Sequence, residues 1–199
     1  MDHQSFVDRV LAHLPSGSFD EYNFMSWQHS GRPSKEGVGV MTVPGADPAK
    51  LKAAVMDVDN YVGNIDHVVA CRSVTDGRFE PPGAVRFYQK VAIPMLGSVH
   101  HELVLKDMGT RGGFEVLAWD VLRSETDALS KRDGFRSDYN QGAWLVNDAG
   151  VVAYALSSAP QRSDVGLLKW KALTRGADAA APHVVKANIQ AMVKWSNRR

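Results

Sequence analysis

Apolar side chains recur at three- and four-residue intervals near both ends of this chain and at every second residue through its middle. Near the start, Phe6, Val7, Val10, Leu11 and Leu14 share one helical face, and Pro15-Ser16-Gly17 supplies a stop. A polar, loop-like stretch follows to about Lys35, in which Phe24 and Trp27 need somewhere to pack. Val38, Val40 and Thr42 then alternate with Gly39, Met41 and Val43, a short strand ended by Pro44-Gly45. Asp47-Pro48 opens a helix, because the aspartate accepts from free N–H groups and proline at the first helical position loses no bond. Leu51, Ala54, Val55 and Val58 follow at helical spacing, and Asp57 or Asp59 is placed to cap a second short helix through Tyr61, Val62 and Ile65.

The period then changes to two. Residues 67–74, 84–93, 99–106, 114–123, 142–147 and 151–157 are rich in β-branched and aromatic side chains, with Asp76-Gly77, Pro81-Pro82-Gly83, Gly112-Gly113 and Asn147-Asp148-Ala149-Gly150 among the turns between them. Six consecutive strands on short links predict an antiparallel meander, since parallel strands need long crossovers. Residues 166–173 form a short helical candidate. Ala181-Pro182 opens a longer helix with Val185, Ile189, Met192, Val193 and Trp195 on its apolar face and Lys186, Asn188, Gln190 and Lys194 on the other. The partner for that apolar face is the concave side of the meander. The expectation is an α+β fold: a curved antiparallel sheet around a long C-terminal helix, with two short helices after the first strand.

Composition narrows the function classes. With 199 residues, 44% hydrophobic and 23% charged, the chain suits one domain that buries roughly 70% of its unfolded surface without staples. Net charge is +1 and the cations are interleaved with acids, which argues against a nucleic-acid partner, whose phosphates demand a concentrated basic surface. The single cysteine, Cys71, excludes an internal disulfide and a cysteine-based metal cluster, and its apolar neighbours suit an inert thiol. Met1-Asp2-His3-Gln4 lacks the basic and apolar regions of a signal peptide, and no apolar run approaches the roughly 20 residues of a membrane span. A cytoplasmic protein is expected, with no integral span, though transient membrane contact is compatible with the composition. No nucleotide-binding glycine loop, nucleophile elbow or metal-ligand spacing is present, so neither a cofactor nor a metal is expected.

The order strand, two short helices, six strands, long helix resembles the START/polyketide-cyclase superfamily, whose architecture is called helix-grip or SRPBCC. The segment from Asp57 to Ile65 resembles that family's passage from the helix pair into the second strand. Phe87-Tyr88-Gln89-Lys90 with Ile93-Pro94 resembles its third strand and closing proline, and Gly142-Ala143-Trp144-Leu145 with Val151-Val152-Ala153-Tyr154 its last hairpin. The likeness covers roughly residues 36–195, which divides the chain into an extension (1–35) and a START-like domain (36–199). Many START domains carry an Arg-Asp pair after that proline. Here the residues are Val99-His100-His101-Glu102, a departure that argues against a specific lipid-headgroup role.

If the sheet closes over a cavity, strand alternation decides what faces it. Val85, Phe87, Val91 and Ile93 share a face with Gln89, and Val99, Leu103 and Leu105 share one with His101. Gln89 is placed to orient a ligand carbonyl or hydroxyl, unless it simply pairs with its neighbours. His101 is a candidate acid/base or orienting group, the simpler alternative being a neutral, hydrogen-bonded core histidine. The fifth strand is apolar on both faces, and Asp120 there needs a partner or a place at the rim. Trp119, Trp144 and Tyr154 suit a pocket wall as well as a core, and Ile189 and Val193 would meet the ligand from the helix. These features and the resemblance imply binding or transport of a hydrophobic small molecule: a lipid, a sterol-like compound or an aromatic metabolite. The alternatives are a polyketide cyclase, aromatase or dehydratase using the same cavity, and an interaction module with a filled core.

Overall fold

The computed structural model describes residues 2–15, 18–93 and 97–199. Ser16 and Gly17, read as a helix stop, and Pro94, read as a strand end, lie outside the described residues. Eight strands form one sheet: β1 (Asn23–Trp27), β2 (Glu36–Thr42), β3 (Val68–Val74), β4 (Ala84–Ile93), β5 (Gly97–Arg111), β6 (Phe114–Val121), β7 (Phe135–Val146) and β8 (Val151–Pro160). Their order, β1-β2-β8-β7-β6-β5-β4-β3, joins the first two strands to the far end of the meander. Successive neighbours are antiparallel. A short parallel pairing joins Val99 and His100 to Phe135 and Arg136, where β5 outruns β6. Among the described residues, five α-helices accompany the sheet: α1 (His3–Ala12), α2 (Pro48–Met56), α3 (Arg123–Ala128), α4 (Arg162–Val165) and α5 (Leu167–Ser196).

The curved sheet carries a core on each face, as the doubly apolar pattern of β6 requires. On the concave side Phe87, Leu103, Leu105, Leu117 and Trp144 pack with Val185, Ile189, Met192 and Val193 of α5. On the convex side Phe6, Val7 and Val10 of α1 cover Val38, Val40, Val116, Ala118, Leu145 and Ala153. Asp2 starts α1 by accepting from the Ser5 N–H at 3.0 Å, and its own backbone N–H donates to the buried Asp120 carboxylate at 2.8 Å. Arg9 of α1 donates twice to Glu36, at 2.8 and 2.9 Å, and the Trp27 indole donates to the same carboxylate. Burial alone would raise the Glu36 pKa, but these donors hold it below the usual carboxylate range.

Several elements differ from the pattern-based expectation. The stretch before Lys35 holds β1, whose polar residues suit an edge strand paired on one side only. The second short helix after β2 is a single 3₁₀ turn, Val58–Asn60. β7 begins at Phe135, seven residues earlier than its apolar part, and the unexpected α3 fills the turn before it. The two C-terminal helical segments are one 30-residue helix with Pro182 inside it. A proline removes one rung and strains the turn before it. The alanine-rich run 177–181 offsets this through high helix propensity, and the Pro182 carbonyl accepts the Tyr22 hydroxyl at 2.7 Å. Cys71 on β3 is half-buried, and burial pushes its thiol pKa up to about 12, as an inert thiol requires. Among the described residues, no helix is long and apolar enough to cross a membrane.

Ile189 is fully buried between α5 and the sheet. Replacing it with Asp places an unpaired charge there and should cost several kcal/mol, read as a lower urea-unfolding midpoint. An unchanged midpoint would contradict this packing of the helix.

Candidate functional site

Between the concave face and α5 lies a cavity of about 490 Å³. Its size follows from side-chain length on the helix. Toward the C-terminus of α5, Val185, Ile189, Met192 and Val193 fill the space above the sheet. Toward the N-terminus the same face carries Gly176, Ala177, Ala180 and Ala181, which line the cavity without filling it. The changeover occurs at Gly39 of β2, where a Cβ would lie 2.5 Å from both Val185 Cγ1 and the Tyr22 hydroxyl. The helix therefore sits closest to the sheet there. Exposed lining residues, among them Asp66, His67, Ala177, Ala180 and Val184, mark the opening. His67 holds a left-handed backbone (φ 66°), a conformation uncommon for residues other than glycine.

Six of the eight residues singled out from the sequence line this cavity: Phe87, Gln89, His101, Trp119, Trp144 and Tyr154. Tyr154 stacks against Trp119, 5.6 Å between centroids, and packs tilted against Trp144 at 4.3 Å. Ile189 and Val193 do not reach the cavity surface. They belong to the packed half of α5, and Met192 and Asn188 present themselves instead. Asn188, assigned by pattern to the polar face, falls four residues from both Val184 and Met192 and so joins their stripe.

Polar groups gather at one place on the strand wall. Gln89 and His101 are direct cross-strand partners on β4 and β5, with Gln89 Oε1 3.1 Å from His101 Nε2. Asn140 of β7 brings its Nδ2 to 3.2 Å from the same ring nitrogen, and its Oδ1 accepts the Trp119 indole N–H at 2.8 Å. That last bond depends on Gly142, the register partner of Trp119: any Cβ at 142 would fall inside the indole ring. Counting back by twos from Trp144 through Gly142 reaches Asn140, a signal hidden by the polar start of β7. Ser158 and Asn188 also line the cavity. Burial pushes the His101 pKa down to about 3, with the neighbouring His100 adding to it, so the ring is neutral at pH 7. Burial also raises the Tyr154 hydroxyl, despite Asn188 beside it, and keeps it protonated. Among the described residues, no three His, Cys, Asp or Glu side chains form a metal-binding group.

No family model matches the chain, and no curated protein matches it in sequence. Solved structures do match its fold. Human STARD10 superposes with a TM-score of 0.73 at 14% identity, over 100% of this chain and 82% of that one. A STAR-related lipid transfer protein from Xanthomonas axonopodis gives 0.70 at 13% identity, over 92% and 97%. The ZhuI aromatase/cyclase from Streptomyces gives 0.55 at 15% identity, over 90% and 96%. The fold is thus the helix-grip fold shared by STAR-related lipid transfer proteins and polyketide aromatase/cyclases.

Two measurements probe this site. Gly142→Ala should expel the Trp119 ring and break its bond to Asn140, seen as altered tryptophan fluorescence and a loss of about 1–3 kcal/mol; an unchanged spectrum would contradict the close approach. His101 ordinarily titrates near 6.5 and here near 3. Between those values the unfolded chain takes up a proton that the fold refuses. Stability is therefore full above about pH 6.5 and falls toward acid by up to about 1.4 kcal/mol per pH unit. His101→Phe should lack that component, so parallel stability–pH profiles for the variant and the parent would contradict the buried neutral histidine.

Proposed function

We propose that the chain binds and carries a hydrophobic small molecule in this cavity, in the class of lipids, sterol-like compounds or aromatic metabolites. The observation that supports this most is the unfilled volume itself, walled by Phe87, Trp119, Trp144 and Tyr154 and provided with a few neutral polar groups, the usual composition of a ligand pocket. The lipid-transfer role named for the STAR-related structures agrees with this reading. Within residues 1–35, we take α1 as a brace on the convex side of the sheet, held to β2 and β1 by the Arg9–Glu36–Trp27 bonds.

An enzyme of the aromatase/cyclase kind is the second reading. Two observations favour it: the fold likeness to the aromatase/cyclase, and the presence of His101 and Tyr154 in one cavity. Against it, His101 has two amides and no carboxylate within hydrogen-bond distance among the described residues, and burial disfavours its protonation. Such a ring orients better than it transfers protons near neutrality.

Native mass spectrometry of the purified protein should show a non-covalent hydrophobic adduct that solvent extraction removes. His101→Phe keeps bulk and removes both ring nitrogens. It should weaken binding of that adduct by about 1–3 kcal/mol with the fold retained, since a buried polar group is left unpaired. For an enzyme the same variant should instead lose about a hundredfold or more in turnover. A folded variant with neither change would remove His101 from the site.

A further inference from the structure

His101 Nε2 meets opposite demands from its two neighbours. Gln89 presents an oxygen to it at 3.1 Å and Asn140 presents an NH₂ group at 3.2 Å. One ring nitrogen is either a donor or an acceptor in a neutral imidazole, so it cannot satisfy both. Asn140 cannot turn, because the Trp119 indole can only donate and already holds the Asn140 oxygen at 2.8 Å. Asn140 is therefore the donor, and Nε2 must offer its lone pair. Gln89 has no such anchor among the described residues: its one side-chain bond there is to His101, and the side chain lines the cavity. The two ends of an amide are nearly isosteric, so hydrogen-bond balance and not shape decides which points where. Nδ1 on the far side of the ring is buried without a partner in either tautomer.

We propose that the chain Trp119–Asn140–His101 fixes His101 as the Nδ1–H tautomer and turns Gln89 so that its carbonyl oxygen faces the cavity, which makes the site selective for an uncharged apolar ligand bearing a hydrogen-bond donor such as a hydroxyl. This rests on the ligand-binding reading above and adds the polarity of the ligand's inner end. The charge of the walls agrees. No lysine or arginine lines the cavity among the described residues, and the lining carboxyl side chain of Asp66 and the imidazole of His67 stand at its opening, away from the inner wall. A carboxylate or phosphate would have to shed water at the inner wall with no cation to receive it, whereas a hydroxyl donates to Gln89 at little cost.

Two experiments decide this, one with ligand and one without. Long-range ¹H–¹⁵N correlation of the ¹⁵N-labelled full chain at pH 7 distinguishes histidine tautomers, with the His101 signals identified by their loss in His101→Phe. The Nδ1–H tautomer is expected, and the Nε2–H tautomer would overturn the network. Calorimetric titration then compares 1-naphthol with 1-methoxynaphthalene, which share a ring system and differ in the donor. Naphthol should bind about tenfold tighter or more, and the ratio should fall to about one in Gln89→Leu. Equal binding of the two by the parent protein, or preference for the ether, would overturn the donor assignment while leaving ligand binding intact. Failure of both compounds to bind would overturn the ligand reading and the selectivity with it, and the tautomer would still confirm or refute the side-chain network independently.

Discussion

A long helix can lie on a sheet only as close as the largest side chain between them permits, and in this protein the permissive point is Gly39. The missing Cβ admits Val185 of α5 and the Tyr22 hydroxyl, and the same hydroxyl reaches across to the Pro182 carbonyl. From that contact toward the chain end, Val185, Ile189, Met192 and Val193 are buried against the strands. In the other direction the helix continues in alanine and glycine, too short to reach the opposite wall. The cavity is thus the shadow of a change in residue size along one helix face, and Gly39 marks a point where helix and sheet come close.

The strands that build the far wall are legible from their alternation. The neighbouring faces of β4 and β5, each apolar with one polar interruption, single out Gln89 and His101, and the register sets the two side by side. β1 and the first half of β7 are not legible, for the same reason: Asn23–Trp27 and Phe135–Gln141 carry too few β-branched residues to outweigh their polar ones. They are strands because of their partners, a tertiary effect that local propensity does not report. Asn140 is lost with them. Helix α5 misleads in another way. Pro182 reads locally as a start, and only the bonds and packing on either side reveal that the helix passes through it. The spacing of Ile189 and Val193 rightly places them on the inner face of α5, but nothing in it tells whether an inner face meets a void or a filled core.

The chemistry of the inner wall follows from neutrality. Burial holds the His101 ring uncharged and the Tyr154 hydroxyl protonated, and Gln89, Asn140, Asn188 and Ser158 beside them are neutral amides and a hydroxyl. Neutral groups in a low-dielectric pocket discriminate by donor and acceptor pattern, not by charge, and they do so only if their own orientations are held. The indole of Trp119 provides that hold, because it is the one member of the chain that cannot exchange donor for acceptor.

Trp119 and Gly142 illustrate how such a hold constrains variation. The ring occupies the space that any side chain at 142 would need, and the amide at 140 depends on where the ring lies. The three positions therefore form one inherited unit. A related chain that acquires a side chain at the glycine position should carry a smaller residue in place of the tryptophan and should also lose the reason to keep an amide beside the histidine. Drift at these sites would come in threes, so a change at one of them signals a changed ligand preference more reliably than a change at any aliphatic wall position.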